Sequence, residues 1–154
     1  MLSRLVQLAL VVALALTIGN HANGAPLTYG TYYEDKGVPT QCTNSLTCRL
    51  NFSQLPSDKL LMVEKVNCYI QSVSPITFLN LSISATLGGS PLGRYLQLAV
   101  PAPQIIASSN NTTLQADIRF LVGNGRFPYL LVQTVPAGNS YMDCTITGVL
   151  VTPL

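Results

Sequence analysis

Residues 77–87 read TFLNLSISATL, in which Leu79, Leu81, Ile83, Ala85 and Leu87 take strict turns with Asn80, Ser82, Ser84 and Thr86. A period of two sends alternate side chains to opposite faces of an extended strand, whereas a helix needs a repeat near 3.6. The same alternation returns along the chain. It orders Leu46, Cys48, Leu50 and Phe52 in SLTCRLNF, Val66, Cys68 and Ile70 in LLMVEKVNCYIQSV, and Leu96, Leu98 and Val100 in RYLQLAV. It continues through Ala116, Ile118, Phe120 and Val122 in QADIRFLV and through Met142, Cys144 and Ile146 in SYMDCTITGVLV. Beyond the first 24 residues nothing with helical period exceeds a turn or two.

Turn chemistry separates these runs. Pro56 fixes φ in LPSDK, where Ser57 and Asp58 can bond the nearby backbone, and GGSPLG, PAPQ, GNG and VPAGN punctuate the rest. Asn124-Gly125 between two alternating runs predicts a hairpin joining 115–122 to 126–134. Pro128 removes a ladder donor, which puts the returning strand at an edge or at a bulge. The change of parity near Glu64 and Lys65 predicts a bulge or two consecutive strands. QIIASSNNTTL, residues 104–114, reads as a loop. The expected fold is all-β, an antiparallel β-sandwich of jelly-roll or Greek-key type, with about 7–8 strands and a turn about every 10 residues. The chain has no tryptophan. That absence and the cysteine spacing argue against a true immunoglobulin domain.

Domain organisation follows. Residues 1–24 have one basic residue, Arg4, an apolar run from Leu5 to Ile18, and small residues at Ala22 and Gly24. This is the pattern of a signal peptide cleaved before Ala25, its apolar run of about 14 residues falling short of the roughly 20 that span a bilayer. Residues 25–44 read as an irregular N-terminal arm with at most one short edge strand around Tyr29 to Tyr33. Residues 45–154 read as a single β-sandwich domain. Of the eight basic side chains Arg4 goes with the leader, leaving seven against six acidic ones and a formal charge of +1. That balance lacks the basic stripe that nucleic acid requires. The expected partner is a protein or a surface, with no nucleic acid and no integral membrane segment after cleavage.

The one histidine, His21, also leaves with the leader. Ser-His-Asp, Cys-His and His-ligated zinc chemistries lose their imidazole with it. The lysines, Lys36, Lys59 and Lys65, stand in no Ser-x-x-Lys arrangement. The acids are Glu34, Asp35, Asp58, Glu64, Asp117 and Asp143. Asp58 reads as a turn former, Glu64 as a surface partner of the nearby lysines, and Asp117 and Asp143 as solvent-facing strand positions. A carboxylate-dependent hydrolase would need two of them about 5 to 10 Å apart in a cleft. No loop is acid-rich enough for calcium. The expectation is no enzyme, no catalytic residue, no metal and no cofactor.

Binding has one sequence candidate, TYGTYYEDK, where Tyr29, Tyr32 and Tyr33 lie close together and tyrosine is a common contact residue. The plainer expectation is that these rings cover one end of the sandwich. Ring stacking on carbohydrate more often uses tryptophan. Sequons occur at Asn51, Asn80, Asn110 and Asn111, with Asn51 and Asn80 on outward parity.

The four cysteines, Cys42, Cys48, Cys68 and Cys144, belong to a chain read as exported, where thiols oxidise. Zinc would want two closely spaced pairs, and a thioredoxin-like motif two intervening residues and a helix. Disulfides are therefore expected. The preferred pairing is Cys42 with Cys48, worth roughly 2 kcal/mol, and Cys68 with Cys144, worth roughly 4 to 5 kcal/mol. Cys48 with Cys68 remains an open alternative.

LPSDKLLMVEKVNC resembles a "VPAGK, apolar, I-E-x-V" strand entry of uncharacterised secreted bacterial β-sandwich proteins, and CTITGVLV resembles their last strand. Ser57-Asp58 departs from the Ala-Gly of that pattern. The resemblance implies an exported sandwich, lends no activity, and leaves the sequons as polar surface. The expected function is a secreted or periplasmic non-enzymatic β-sandwich protein with a binding, structural or accessory role. The alternatives are a surface-assembled, fimbrial-like subunit and, third, the carboxylate-dependent hydrolase.

Overall fold

The period-two runs become strands in the computed structural model, which describes residues 25–153. The expected signal peptide, residues 1–24, lies outside the described residues. In chain order the strands are β1 (Leu27–Tyr29), β2 (Tyr32–Lys36), β3 (Thr40–Asn51), β4 (Leu60–Ser72) and β5 (Ile76–Ser84). They continue with β6 (Pro91–Gln97), β7 (Gln104–Ile106), β8 (Ser109–Val122) and β9 (Phe127–Val151). All pairings are antiparallel. The all-β expectation therefore stands, with nine strands among the described residues in place of seven or eight.

The nine strands of the described residues form one hydrogen-bonded sheet. The reason is β9. Its 25 residues would extend about 80 Å if straight, far beyond a domain whose radius of gyration is about 14 Å. It therefore serves two ladders in succession. Phe127 to Thr134 pairs with β5 and, in part, with β3, whereas Ser140 to Val151 pairs with β4 and, in part, with β2. The first ladder runs β1-β2-β9-β4-β8-β7, and the second adds β3, β5 and β6 around the start of β9. One core cluster takes Tyr33, Val63, Ile70, Met142 and Ile146 from the first ladder and Leu50, Leu79, Leu81, Leu130 and Val132 from the second.

Where β9 passes between ladders, β3 turns with it. The β3–β9 register shifts between Cys42 and Ser45 and again between Ser45 and Thr47, and a disulfide joins Cys42 to Cys48 across that irregular segment. The alternation read from sequence therefore holds for Cys48, Leu50 and Phe52, which are buried, and breaks at Leu46, which is 51 % exposed. The second disulfide links Cys68 of β4 to Cys144 of β9, residues directly opposite in the ladder with Cα atoms 4.1 Å apart. The parity change at Glu64 is a bulge between Val63 and Lys65, seen against both neighbouring strands. Beside it β4 and β9 lie so close that a Cβ on Gly148 would collide with the Met62 carbonyl.

Three further segments differ from the sequence reading. The arm at 25–44 is not irregular, because it holds β1, β2 and the start of β3, with β2 alternating Tyr33 and Asp35 inward. Residues 104–114 are not a loop, because β7 and β8 form a hairpin through Ala107 and Ser108, both at positive φ. The Asn124-Gly125 turn closes no hairpin, because β8 pairs with β4 and β7 while β9 joins other partners. Instead it locks against the Pro56 turn, with Gly125 N donating to Pro56 O at 3.1 Å, Leu55 N to Arg126 O at 3.0 Å and Asn124 Nδ2 to Ser57 O at 2.8 Å. Pro128 thus sits in a central strand rather than at an edge. It is tolerated near the start of β9, where its carbonyl accepts from Phe52 N at 3.0 Å.

Candidate functional site

Tyr29, Tyr32 and Tyr33 do not form one surface. Tyr29 is 88 % and Tyr32 44 % exposed, while Tyr33, the next position along the strand, is 1 % exposed in the core. The Tyr33 hydroxyl donates to Asp35 Oδ2 at 3.3 Å, and the same buried carboxylate accepts from Ser53 N at 2.7 Å and Ser53 Oγ at 3.2 Å. Burial raises the Asp35 carboxyl above the usual carboxylate range, with the Ser53 and Tyr33 hydrogen bonds pulling the other way. Burial, and then the Asp35 charge, push the Tyr33 phenol upward. This network ties the chain leaving β3 to β2 and makes Tyr33 and Asp35 parts of the framework.

Tyr29 and Tyr32 belong to a larger feature that only the strand register shows. Tyr29 lies opposite Tyr32, Tyr32 opposite Val149, Val149 opposite Met62, and Met62 opposite Leu121. Cross-strand partners share a face, so one apolar side chain from each of β1, β2, β9, β4 and β8 forms an uncharged row across the outside of the first ladder. None of these five side chains is in the buried core. The adjacent row is Leu27, Glu34, Thr147, Lys65 and Asp117, with Lys65 Nζ 3.5 Å from Asp117 Oδ1.

Further along the same face the side chains are polar and mostly uncharged. Lys36, Thr145, Asn67 and Gln115 share one row, and Asp143, Tyr69 and Thr113 the next. The two charges there satisfy each other, Lys36 Nζ lying 3.1 Å from Asp143 Oδ2. Asn67, Tyr69, Thr113, Gln115 and Thr145 line a shallow cleft of about 300 Å³. Beyond it Gln41, Gln71 and Tyr141 border a second one of about 190 Å³. The rings of Tyr69 and Tyr141 are 6.4 Å apart and tilted by 59°, and the Tyr69 hydroxyl donates to Asn111 Oδ1 at 2.6 Å.

A third cleft, about 380 Å³, lies where the β2–β3 link meets the end of β3, lined among others by Val38, Thr40, Asn51, Ser53 and Phe127. A Cβ on Gly37 beside it would collide with the Leu50 side chain, so the close approach of the two segments depends on that glycine. Of these three clefts only the one beside Tyr69 is lined by a carboxylate, Asp143. Among the described residues no three His, Cys, Asp or Glu side chains gather as a metal-holding group, and no helix is long and apolar enough to cross a membrane. On the second ladder Arg49 stacks over Tyr129 at 3.5 Å and donates to Asn51 Oδ1, Ser84 Oγ and the Gly89 carbonyl. This helps to explain why the polar set of β5, read as outward, is buried: Asn80 is only 7 % exposed, so its sequon lies out of reach of solvent.

No family model and no curated protein matches this chain.

Proposed function

We propose that the chain is a secreted or periplasmic, non-enzymatic binding module that presents the outer face of its first ladder to a partner surface. The observation that carries this reading is the row Tyr29–Tyr32–Val149–Met62–Leu121. The solvent side of an antiparallel sheet is ordinarily polar. Here an uncharged apolar line crosses five strands, about 20 Å at the usual strand spacing, with Tyr29 and Tyr32 exposed and Val149, Met62 and Leu121 half-buried, and apolar surface open to solvent marks interaction sites. Export is supported by the two disulfides, which form and persist in oxidising compartments, and by the leader pattern of residues 1–24. A non-enzymatic role is supported by the carboxylates, since Asp35 is a buried framework group and Asp58, Asp117 and Asp143 each face a lysine.

The test is retention of the purified, labelled protein on whole cells of its source organism. A Tyr29→Ser/Met62→Ser variant is expected to lose most of that retention, while Tyr95→Ser, at an exposed position of the second ladder, keeps it. Equal retention of all three proteins would rule the outer face out as the contact.

A second reading, the surface-assembled subunit, is favoured by β6, which pairs only with β5 and leaves its other edge open. Assembly that grows with concentration in sedimentation velocity and stops with a proline placed at Tyr95, whose N–H alternates away from β5 because Leu98 N donates to Leu79 O, would favour it over the first.

A further inference from the structure

We propose that the polar half of the outer face, between the Lys36–Asp143 ion pair and the Tyr69–Tyr141 rings, is a binding site for a neutral oligosaccharide chain. The inference rests on the reading of this face as the contact surface and names the chemistry of what it contacts. Three observations lead to it. The first is shape: two shallow clefts, one of about 300 Å³ beside Tyr69 and one of about 190 Å³ beside Tyr141, follow one another along β4 and β9 on this face. The larger is at the lower end of small-ligand sites, roughly 300–1,000 Å³, and two clefts in succession on one face suit a chain rather than a compact molecule.

The second observation is the kind of hydrogen-bonding group. Asn67, Thr113, Gln115 and Thr145 each combine donor and acceptor capacity without charge, as sugar hydroxyls do. None of them takes part in the hydrogen bonds that brace this end of the face, which run from Tyr69 to Asn111 and from Asn111 to the Ser109 and Gln104 carbonyls. The third is charge complementarity. The ionised side chains bordering the cleft are Lys36 and Asp143, which neutralise each other at 3.1 Å. An anionic or cationic ligand would find no unpaired counter-charge in the cleft, whereas a neutral polyhydroxylated one would lose no ionic partner by leaving water. The exposed Tyr69 ring, tilted against Tyr141, supplies an aromatic edge and face for the C–H surface of a sugar.

The experiment titrates the oxidised protein with cellohexaose, maltohexaose, chitohexaose and soluble yeast mannan, following backbone amide NMR shifts and tyrosine fluorescence. The chain has no tryptophan, so its emission reports its tyrosines. At least one probe is expected to saturate, with shifts centred on Asn67, Tyr69, Thr113 and Gln115, and with affinity unchanged when salt is raised to about 0.5 M, where surface charges are screened. Tyr69→Ala should weaken that binding about tenfold, the effect expected for losing one aromatic contact, and Asn67→Ala several-fold, with Tyr29→Ser neutral. No saturable binding of any probe, binding abolished by salt, or shifts centred on the Val38–Phe127 cleft would each overturn the proposal. Retention on cells that depends on Tyr29 and Met62 while every oligosaccharide fails would keep the contact face and remove the sugar. Loss of both would remove the face itself.

Discussion

Removing the two disulfides separately should have unequal effects, and the inequality comes from the chain between the bridged residues. In the chain-entropy treatment a bridge restricts the denatured state by about 2.1 + 1.5R ln n cal/mol/K for a loop of n residues. The separation of 76 between Cys68 and Cys144 gives about 4.5 kcal/mol near room temperature, and the separation of 6 between Cys42 and Cys48 gives about 2.2 kcal/mol. On the native side Cys68 and Cys144 face each other across a ladder whose backbone pairing extends well to either side, so the strands stay paired without the bond. Alanine also leaves a small void for each buried sulfur, about 1 kcal/mol apiece: two for Cys68 and Cys144, one for Cys48.

The expected losses are then about 6.5 kcal/mol for Cys68→Ala/Cys144→Ala and about 3 kcal/mol for Cys42→Ala/Cys48→Ala. Urea unfolding monitored by circular dichroism measures both. Against a typical total of about 5–15 kcal/mol, the first pair takes away much of the stability, so a stabilising osmolyte such as sucrose belongs in the buffer. The first pair should also steepen the urea dependence, since its denatured state expands more. If the two losses are equal and neither slope changes, loop length is not what sets the effect, and the reasoning fails.

Gly148→Ala should cost more than about 3 kcal/mol, because the added methyl meets the Met62 carbonyl of β4 rather than a movable side chain; thermal unfolding tests it, and a shift of only a degree or two would mean the strands separate easily. Tyr33→Phe should lose about 1–3 kcal/mol, the worth of a buried hydrogen bond to a charged group. Tyr32→Phe, whose hydroxyl meets Glu34 in solvent, should stay within about 0.5 kcal/mol; equal losses in urea would contradict the split between the two rings. Asp35 has a raised folded-state value, so the native state holds this proton more tightly than the unfolded chain. Its contribution is therefore complete below the usual value near 3.8 and is lost as pH rises through the folded value. The stability difference between wild type and Asp35→Asn should decline with rising pH over that interval, and a difference that grows instead would reverse the assignment.

What the sequence disclosed and what it hid have physical causes. Strands with one apolar face, such as Val66–Cys68–Ile70 and Phe120–Val122, were legible because periodicity is the direct imprint of half-burial. β2 was hidden because its inward positions are Tyr33 and Asp35, and a buried carboxylate looks like surface until Ser53 is brought to it. β7 was hidden because its turn places Ala107 and Ser108 at positive φ, where glycine or asparagine is the usual signal. Asn124-Gly125 did mark a turn, but a local signal says nothing about which strands will be neighbours afterwards. For the site, Tyr29 and Tyr32 were visible as residue types. Val149, Met62 and Leu121 were not, since each reads as one apolar residue among many until the register aligns them.

The two-ladder role of β9 also bears on the order of events during folding. β9 is the last of the nine strands in chain order and pairs with β2, β3, β4 and β5. As the chain emerges from its N-terminal end, β4 and β5 are made long before the strand that joins them. Local hairpins such as β1–β2 and β7–β8 can close early, but neither ladder acquires its centre until β9 arrives. Contacts of such long sequence separation fold slowly. A newly made chain would therefore pass through an interval with several open strand edges at once, when it is most exposed to aggregation.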